Sequence, residues 1–290
     1  MNEITKQLQD YAASIRCDLL GVAPIERFAG LPPERHPASI FPEAKSVLAV
    51  GKRIPRGTLR GVEEGTQFYT YQLYGQAWVE DRFLALTALR LSEFLEDHRW
   101  EAVPLFNLPP EMGPMGVPVR EGNPAPNVLL DFDDAAVRAG LGEIGYLRTF
   151  VSPEFGTRQR FFLILTDAEL DPTPLPPVQV CPREKGLAKL CPLGAIHAEK
   201  EETIDIGGQR MTVAGLDLAV CAKCQNGARP NLRHPAGPPD RLAAVCMRSY
   251  YDHLERTGRL TRDFANPFRQ RPAWSVVDGT YRVEANYEVE

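Results

Sequence analysis

Apolar residues recur at Ile4, Leu8, Tyr11, Ala12 and Ile15, which is one face of an amphipathic helix over residues 3–17. The run LLGVAPI that follows reads as a short buried strand. A second strand is predicted in FPEAKSVLAVGKRI, where Val47, Leu48, Ala49 and Val50 form a continuous apolar stretch introduced by a proline turn. From Gln67 to His98 the pattern predicts a long helix, broken or bent near Gly75, with Trp78, Phe83, Leu86, Leu89, Phe94 and Leu95 on its buried side. A short helix, Asp131 to Ala139, comes next. The clearest strand is RFFLILTDAEL, apolar from Phe161 to Leu165 and therefore covered on both faces. After Pro238 and Pro239 a last helix runs to about Leu260. The aromatic tail from Phe264 to Glu290 is expected to wrap back on the body.

Two proline-rich stretches interrupt this pattern. Pro104 to Pro126, with Gly113, Gly116 and Gly122 inside it, cannot be regular structure. Its Phe106, Met112, Met115 and Val117 point to a loop packed over its own core or over a bound planar cofactor. Pro172, Pro174, Pro176 and Pro177 make a stiff linker. The chain divides accordingly into residues 1–170, a cysteine module at 171–235, and a C-terminal helix and tail at 236–290.

Composition narrows the function. The net charge of the 290 residues is −5, with no lysine or arginine run of the kind that tracks a phosphate backbone, so no nucleic-acid partner is expected. The N-terminal stretch has neither an apolar signal core nor a spanning segment, which predicts a cytoplasmic protein with no membrane partner. In that setting six cysteines are metal ligands or buried thiols before they are disulfides.

Counting back from Cys191 and Pro192 as the end of a C-x2-C-x2-C-x3-C-P motif, the earlier positions fall on Leu187, Glu184 and Cys181. The two middle cysteines of the motif are therefore replaced. A second pair, Cys221 and Cys224, keeps C-x2-C spacing. In a two-cluster ferredoxin the Cys-Pro cysteine ligates the cluster of the other motif. Cys191, Cys221 and Cys224 would then share one cluster, with Cys181 as the first choice for fourth ligand and Cys246 as the second. Four thiolates suit zinc as well as an iron-sulfur cluster, and spacing alone does not separate them. His197 and His234 are near enough in sequence to serve as a ligand or its support. The glycines of AGLGEIG, Gly140, Gly142 and Gly145, lack both the spacing and the leading strand of a dinucleotide loop. Gly140 suits a helix C-cap, and the others let backbone approach a ligand or partner closely.

The segment DDAAVRAGLGEIGYLRTFVSPEFGTRQRFFLILTDAELDP, followed by CPLGAI, resembles the epoxyqueuosine reductases and corrinoid reductive dehalogenases. The likeness covers most of residues 15–232. It implies an α+β, nitroreductase-like domain carrying a small ferredoxin-like module. It also implies a cobalamin (corrinoid) beside iron-sulfur clusters, an electron donor such as a ferredoxin or flavodoxin, and a proton-donating aspartate or tyrosine. By that resemblance Gly140, Leu141, Gly142, Glu143 and Gly145, with Phe155, Gly156 and Arg158, would lie near the corrinoid. Tyr69 and Tyr71, and Asp131 and Asp134 beside Asp133, are the candidate proton donors, although an acidic trio at a helix start also caps the helix. The reduced cysteine set implies a single 4Fe-4S cluster. The expected function is an iron-sulfur reductase of a small organic substrate. The alternatives are an accessory cobalamin-binding or cobalamin-processing protein, or a flavin-binding protein with a zinc site.

Overall fold

The computed structural model describes residues 2–106, 128–177, 180–229 and 239–284. Met112, Met115 and Val117 of the expected packed loop, and His234, lie outside them.

Helix α1 (Glu3–Ser14) leads into a four-stranded antiparallel sheet made of β1 (Leu19–Pro24), β2 (Ser46–Arg53), β3 (Ala102–Leu105) and β6 (Gln159–Thr166), in the order β1-β2-β6-β3. Register pairs Val47 with Leu165 and Ala49 with Leu163. Successive side chains point to opposite faces, so both faces of this sheet are apolar. Leu48, Val50, Phe162 and Ile164 pack with Leu8 and Ala12 of α1 and with Leu84, Ala88, Leu91 and Leu95 of a long helix. Val47, Ala49, Leu163 and Leu165 face Ala135, Ala136 and Val137 of a short helix, together with Phe150 and Phe155.

The long helix is continuous from Tyr69 to Asp97. Its first half is wound in π-helical turns (Gln72–Ala77 and Val79–Leu84), and its second half is α2 (Ala85–Asp97). The missing side chain of Gly75 makes room for Tyr71, since a Cβ there would stand 2.4 Å from the Tyr71 ring. The expected buried side needs correction. Leu84, Ala88, Leu91 and Leu95, four positions at helical spacing, face the sheet, while Phe83, Leu86 and Leu89 lie on the outward face at 42%, 47% and 48% exposure. Apolar residues occupy more of this helix than one sheet can cover.

Helix α3 (Phe132–Arg138) is followed by a small hairpin, β4 (Glu143–Ile144) and β5 (Phe150–Val151). A 3-10 turn at Lys185–Leu190 then leads into a long hairpin, β7 (Ile196–Ile206) and β8 (Gln209–Leu216), which reverses at Gly207 and Gly208, both at positive φ. Helix α4 (Val245–Arg256) is buried over ten residues and packs with Tyr146, Val151, Leu187 and Ala214 in a second core. The tail wraps back as expected. Phe268 is fully buried, a last hairpin forms from β9 (Ala273–Val277) and β10 (Thr280–Glu284), and Trp274 donates its indole N–H to the Val62 carbonyl at 2.9 Å. Among the described residues, no helix is long and apolar enough to cross a membrane.

Candidate functional site

Four thiols meet in one pocket, and each comes from a different turn of the chain. Cys191 ends the 3-10 turn, and its sulfur accepts the Ala195 N–H at 3.4 Å. Asp217 caps the short helix Leu218–Cys221 by accepting the Val220 N–H at 3.0 Å, which fixes Cys221 at the end of that helix. Cys224 follows a tight turn, and its sulfur accepts the Asn226 N–H at 3.3 Å. Cys246 lies in the first turn of α4. The walls between them are apolar, with Ile196, Leu216 and Val245 among them, except for Arg241. All six cysteines are free thiols. Burial pushes the Cys246 thiol up to about 12, against the pull of Arg241 and assisted by Cys191, Cys224 and Cys221. Burial also raises Cys221, again with Arg241 opposing it.

Arg241 is 5% exposed. One guanidinium nitrogen donates to the Leu147 and Arg148 carbonyls at 2.8 and 2.7 Å, while Nη1 is buried with no hydrogen-bond partner. An uncompensated buried cation among thiols costs free energy unless negative charge joins it. Four thiolates bound to a metal centre supply that charge, and metal binding deprotonates thiols that otherwise keep their protons. The donor set therefore fits a thiolate-ligated metal group. Among the described residues no group of three His, Cys, Asp or Glu side chains is placed to hold a single metal ion.

Cys181, the first choice for fourth ligand, is outside this pocket. Its sulfur accepts the Tyr250 hydroxyl at 2.5 Å and the Tyr146 N–H at 3.0 Å. Its own N–H goes to Glu143, which also pairs with Arg183. These three hydrogen bonds hold it beneath the β4–β5 hairpin, and Cys246 stands in the fourth place. No spacing rule reaches from Cys224 to Cys246, which is why the motif count ranked Cys181 first. His197 pairs with Glu199 at 3.0 Å and does not line the pocket.

A second polar cluster lies at the edge of the sheet. Arg160 of β6 donates to Asp240 at 2.6 Å, to the Tyr71 hydroxyl at 3.0 Å and to the Gly75 carbonyl at 3.2 Å, with Glu80 at 3.5 Å. Burial opposes the Arg160 charge, but Asp240, Tyr71 and Glu80 outweigh it and hold the guanidinium firmly protonated. Tyr71 is 2% exposed, and burial, with Asp240 assisting, lifts its hydroxyl well above the ordinary tyrosine value. Tyr69, by contrast, projects into solvent at 75% exposure. The acidic trio divides its work. Asp131 caps α3 by accepting the Asp133 and Asp134 N–H groups at 3.0 and 3.1 Å. Asp134 pairs with Arg138 one turn on. Asp133 is the one whose charge meets Arg160 and Arg241. Asp133 is exposed at the surface, yet the protein around it, followed by the Asp131 charge, lifts its carboxyl to about 7. The sequence offered no mark that separates Asp133 from its neighbours. Arg241 acts on Asp133 and on the thiols alike, which puts the two clusters within electrostatic reach of each other.

The catabolic reductive dehalogenase NpRdhA has 14% identity to this chain and a TM-score of 0.50, over 98% of this chain and 40% of that one. The fold is similar to that of a reductive dehalogenase. A second reductive dehalogenase structure, described as B12-dependent, matches at the same identity and TM-score over 99% of this chain and 40% of its own. An epoxyqueuosine reductase bound to a modified tRNA-Tyr stem loop matches at 18% identity and a TM-score of 0.46, over 67% of this chain and 52% of that one, a likeness too loose to argue from. The chain thus spans about half the length of that reductase and less than half that of the dehalogenases. No family model matches the chain, and no curated protein does.

The eight residues expected near a corrinoid lie mostly against the chain itself. Cβ atoms added at Gly140, Gly142 and Gly145 would stand 2.5 Å from the Pro174 carbonyl, 2.2 Å from the Val151 carbonyl and 2.6 Å from the Tyr250 hydroxyl. The close approach these glycines permit is to the chain itself. Gly156 lies against Tyr251 and Leu260. Phe155 is buried under Arg262, and Arg158 is buried against Tyr251 and Phe264 of the C-terminal part. Glu143 holds Cys181 and Arg183, and Leu141 packs in the main core.

Proposed function

We propose that this chain is an iron-sulfur reductase whose single 4Fe-4S cluster is held by Cys191, Cys221, Cys224 and Cys246. The observation that carries the reading is the convergence of four free thiols on one pocket beside a buried guanidinium with an unpartnered nitrogen. A zinc ion would draw four sulfurs to within about 3.8 Å of one another, from Zn–S bonds of ~2.3 Å, whereas a four-iron cube gives each thiolate its own iron. Thiols arranged round a pocket, two of them accepting backbone N–H groups, support the cube. When bound, such a cluster supplies one-electron redox chemistry.

The surface at Asp133 is where a small organic substrate would be reduced. Asp133 holds or releases a proton near neutral pH, Tyr71 keeps its hydroxyl proton, and Arg160 fixes Tyr71 in place. An external donor of the ferredoxin or flavodoxin kind would deliver electrons. The nitroreductase-like domain and the ferredoxin-like module belong to the same reading. A corrinoid is left out of this reading, because the eight residues considered for it pack mostly against the chain itself.

Purification without oxygen, followed by iron, sulfide, zinc and cobalt analysis, tests the reading. The proposal expects about four irons and four sulfides per chain with a broad thiolate-to-iron absorbance. Stoichiometric zinc with no iron would overturn it.

A further inference from the structure

We propose that the outward face of the helix from Tyr69 to Asp97 is the surface on which two copies of this chain pair, helix against helix, about a two-fold axis. Leu73, Tyr74, Phe83, Leu86 and Leu89 remain 36%, 45%, 42%, 47% and 48% exposed on this one element, and Tyr69 continues the stripe towards its start. The aromatic part is already ordered, with the Tyr74 ring edge-on to Trp78 at 5.2 Å and stacked with Phe83 at 6.4 Å. Phe83, Leu86 and Leu89, the part of the stripe that helix-against-helix pairing covers, present on the order of 250 Å² of apolar surface. Two such faces, with their polar rims, make an interface of the small, weakly associating class.

The charges on this face select the occupant. Arg82, Leu86, Leu89 and Glu93 are all exposed and follow one another at spacings of four, three and four residues, directly opposite the buried line of Leu84, Ala88, Leu91 and Leu95. That line becomes its own complement when reversed. An antiparallel copy centred between Leu86 and Leu89 sets each Leu86 against Leu89 of the second copy. The same register sets each Arg82 against Glu93 of the second copy, and two-fold symmetry makes both contacts occur twice. The guanidinium of Arg82 already lies over the Trp78 ring at 4.9 Å, which holds it on the outward face. Packing of this kind needs no element to move, because the helix is anchored to the sheet by its other side.

Sedimentation velocity over a range of protein concentrations tests the pairing. The expected result is a monomer–dimer equilibrium with a dissociation constant of about 100 µM, as a small interface of this class supports. Leu86→Glu with Leu89→Glu should leave a monomer whose circular dichroism and melting are those of the wild type, because both side chains are on the surface. Arg82→Glu removes two exposed ion pairs and creates two repulsions, so it should weaken the dimer about tenfold, and adding Glu93→Arg should restore it. A wild type that stays monomeric at ~1 mM overturns the proposal, since that concentration is about tenfold above the expected constant. So does a dimer indifferent to the two leucine substitutions, and failure of Glu93→Arg to rescue Arg82→Glu overturns the pairing register.

Discussion

Replacing Asp240 by Asn should destabilise the fold by about 3 kcal/mol, at the low end of the range for breaking a buried ion pair. The figure follows from the surroundings of Arg160. Its side chain and that of Asp240 are 16% and 9% exposed, and the two meet at 2.6 Å. Asn keeps the shape and one hydrogen bond but leaves the guanidinium with Glu80, at 3.5 Å, as its near carboxylate, beside the neutral Tyr71 hydroxyl at 3.0 Å and the Gly75 carbonyl at 3.2 Å. Glu80 is what keeps the cost near the lower end. Removing both charges should cost less than the sum of the single changes, because a buried pair exchanged for neutral groups is close to energetically neutral. Asp240→Asn with Arg160→Met should therefore show a coupling energy of about 2 kcal/mol in a double-mutant cycle. Urea unfolding followed by circular dichroism measures all four proteins. A cost below about 1 kcal/mol for Asp240→Asn, or strict additivity of the two changes, would refute the view that these charges are buried and mutually dependent.

Two further outcomes are expected. Asp133 holds its proton in the fold up to about pH 7 but loses it near 3.8 when unfolded, so the folded state binds more protons in that window and stability falls as pH rises through it. Asp133→Asn carries no such penalty, so its melting temperature relative to wild type should climb between pH 4 and pH 7 and then level off, and a difference independent of pH would contradict the raised carboxyl. Gly142→Ala drives a Cβ to 2.2 Å from a backbone carbonyl that cannot yield, and should cost about 3 kcal/mol. Gly194→Ala meets nothing within 4 Å and should cost only about 1 kcal/mol, for its positive φ. Equal losses at the two positions would show that the β4–β5 turn is looser than described.

The central sheet was legible because Val47 to Val50 and Phe161 to Leu165 are apolar on both faces, a pattern that only a doubly covered strand requires. The long helix was legible in extent but not in orientation. With apolar residues at 83, 84, 86, 88, 89 and 91, periodicity alone cannot say which arc meets the sheet, and the π-helical turns change the phase besides. The β7–β8 hairpin was missed although IDIGGQRMTV shows alternation around a Gly-Gly turn. Three of the four pocket cysteines were legible from motif spacing. The fourth was ranked second, because Cys246 reaches the pocket through the packing of α4 rather than through any local repeat. The glycines of AGLGEIG correctly announced close backbone approach, but sequence cannot name what approaches. Here the neighbours are Pro174, Val151 and Tyr250.

Iron and acid-labile sulfide per chain in anaerobically purified wild type, Cys246→Ser and Cys181→Ser test the central claim most directly. The account predicts about four of each in the wild type and in Cys181→Ser, where only the contacts to Tyr250 and Tyr146 change, and loss of most of both in Cys246→Ser. Full iron in Cys246→Ser together with loss in Cys181→Ser would contradict it.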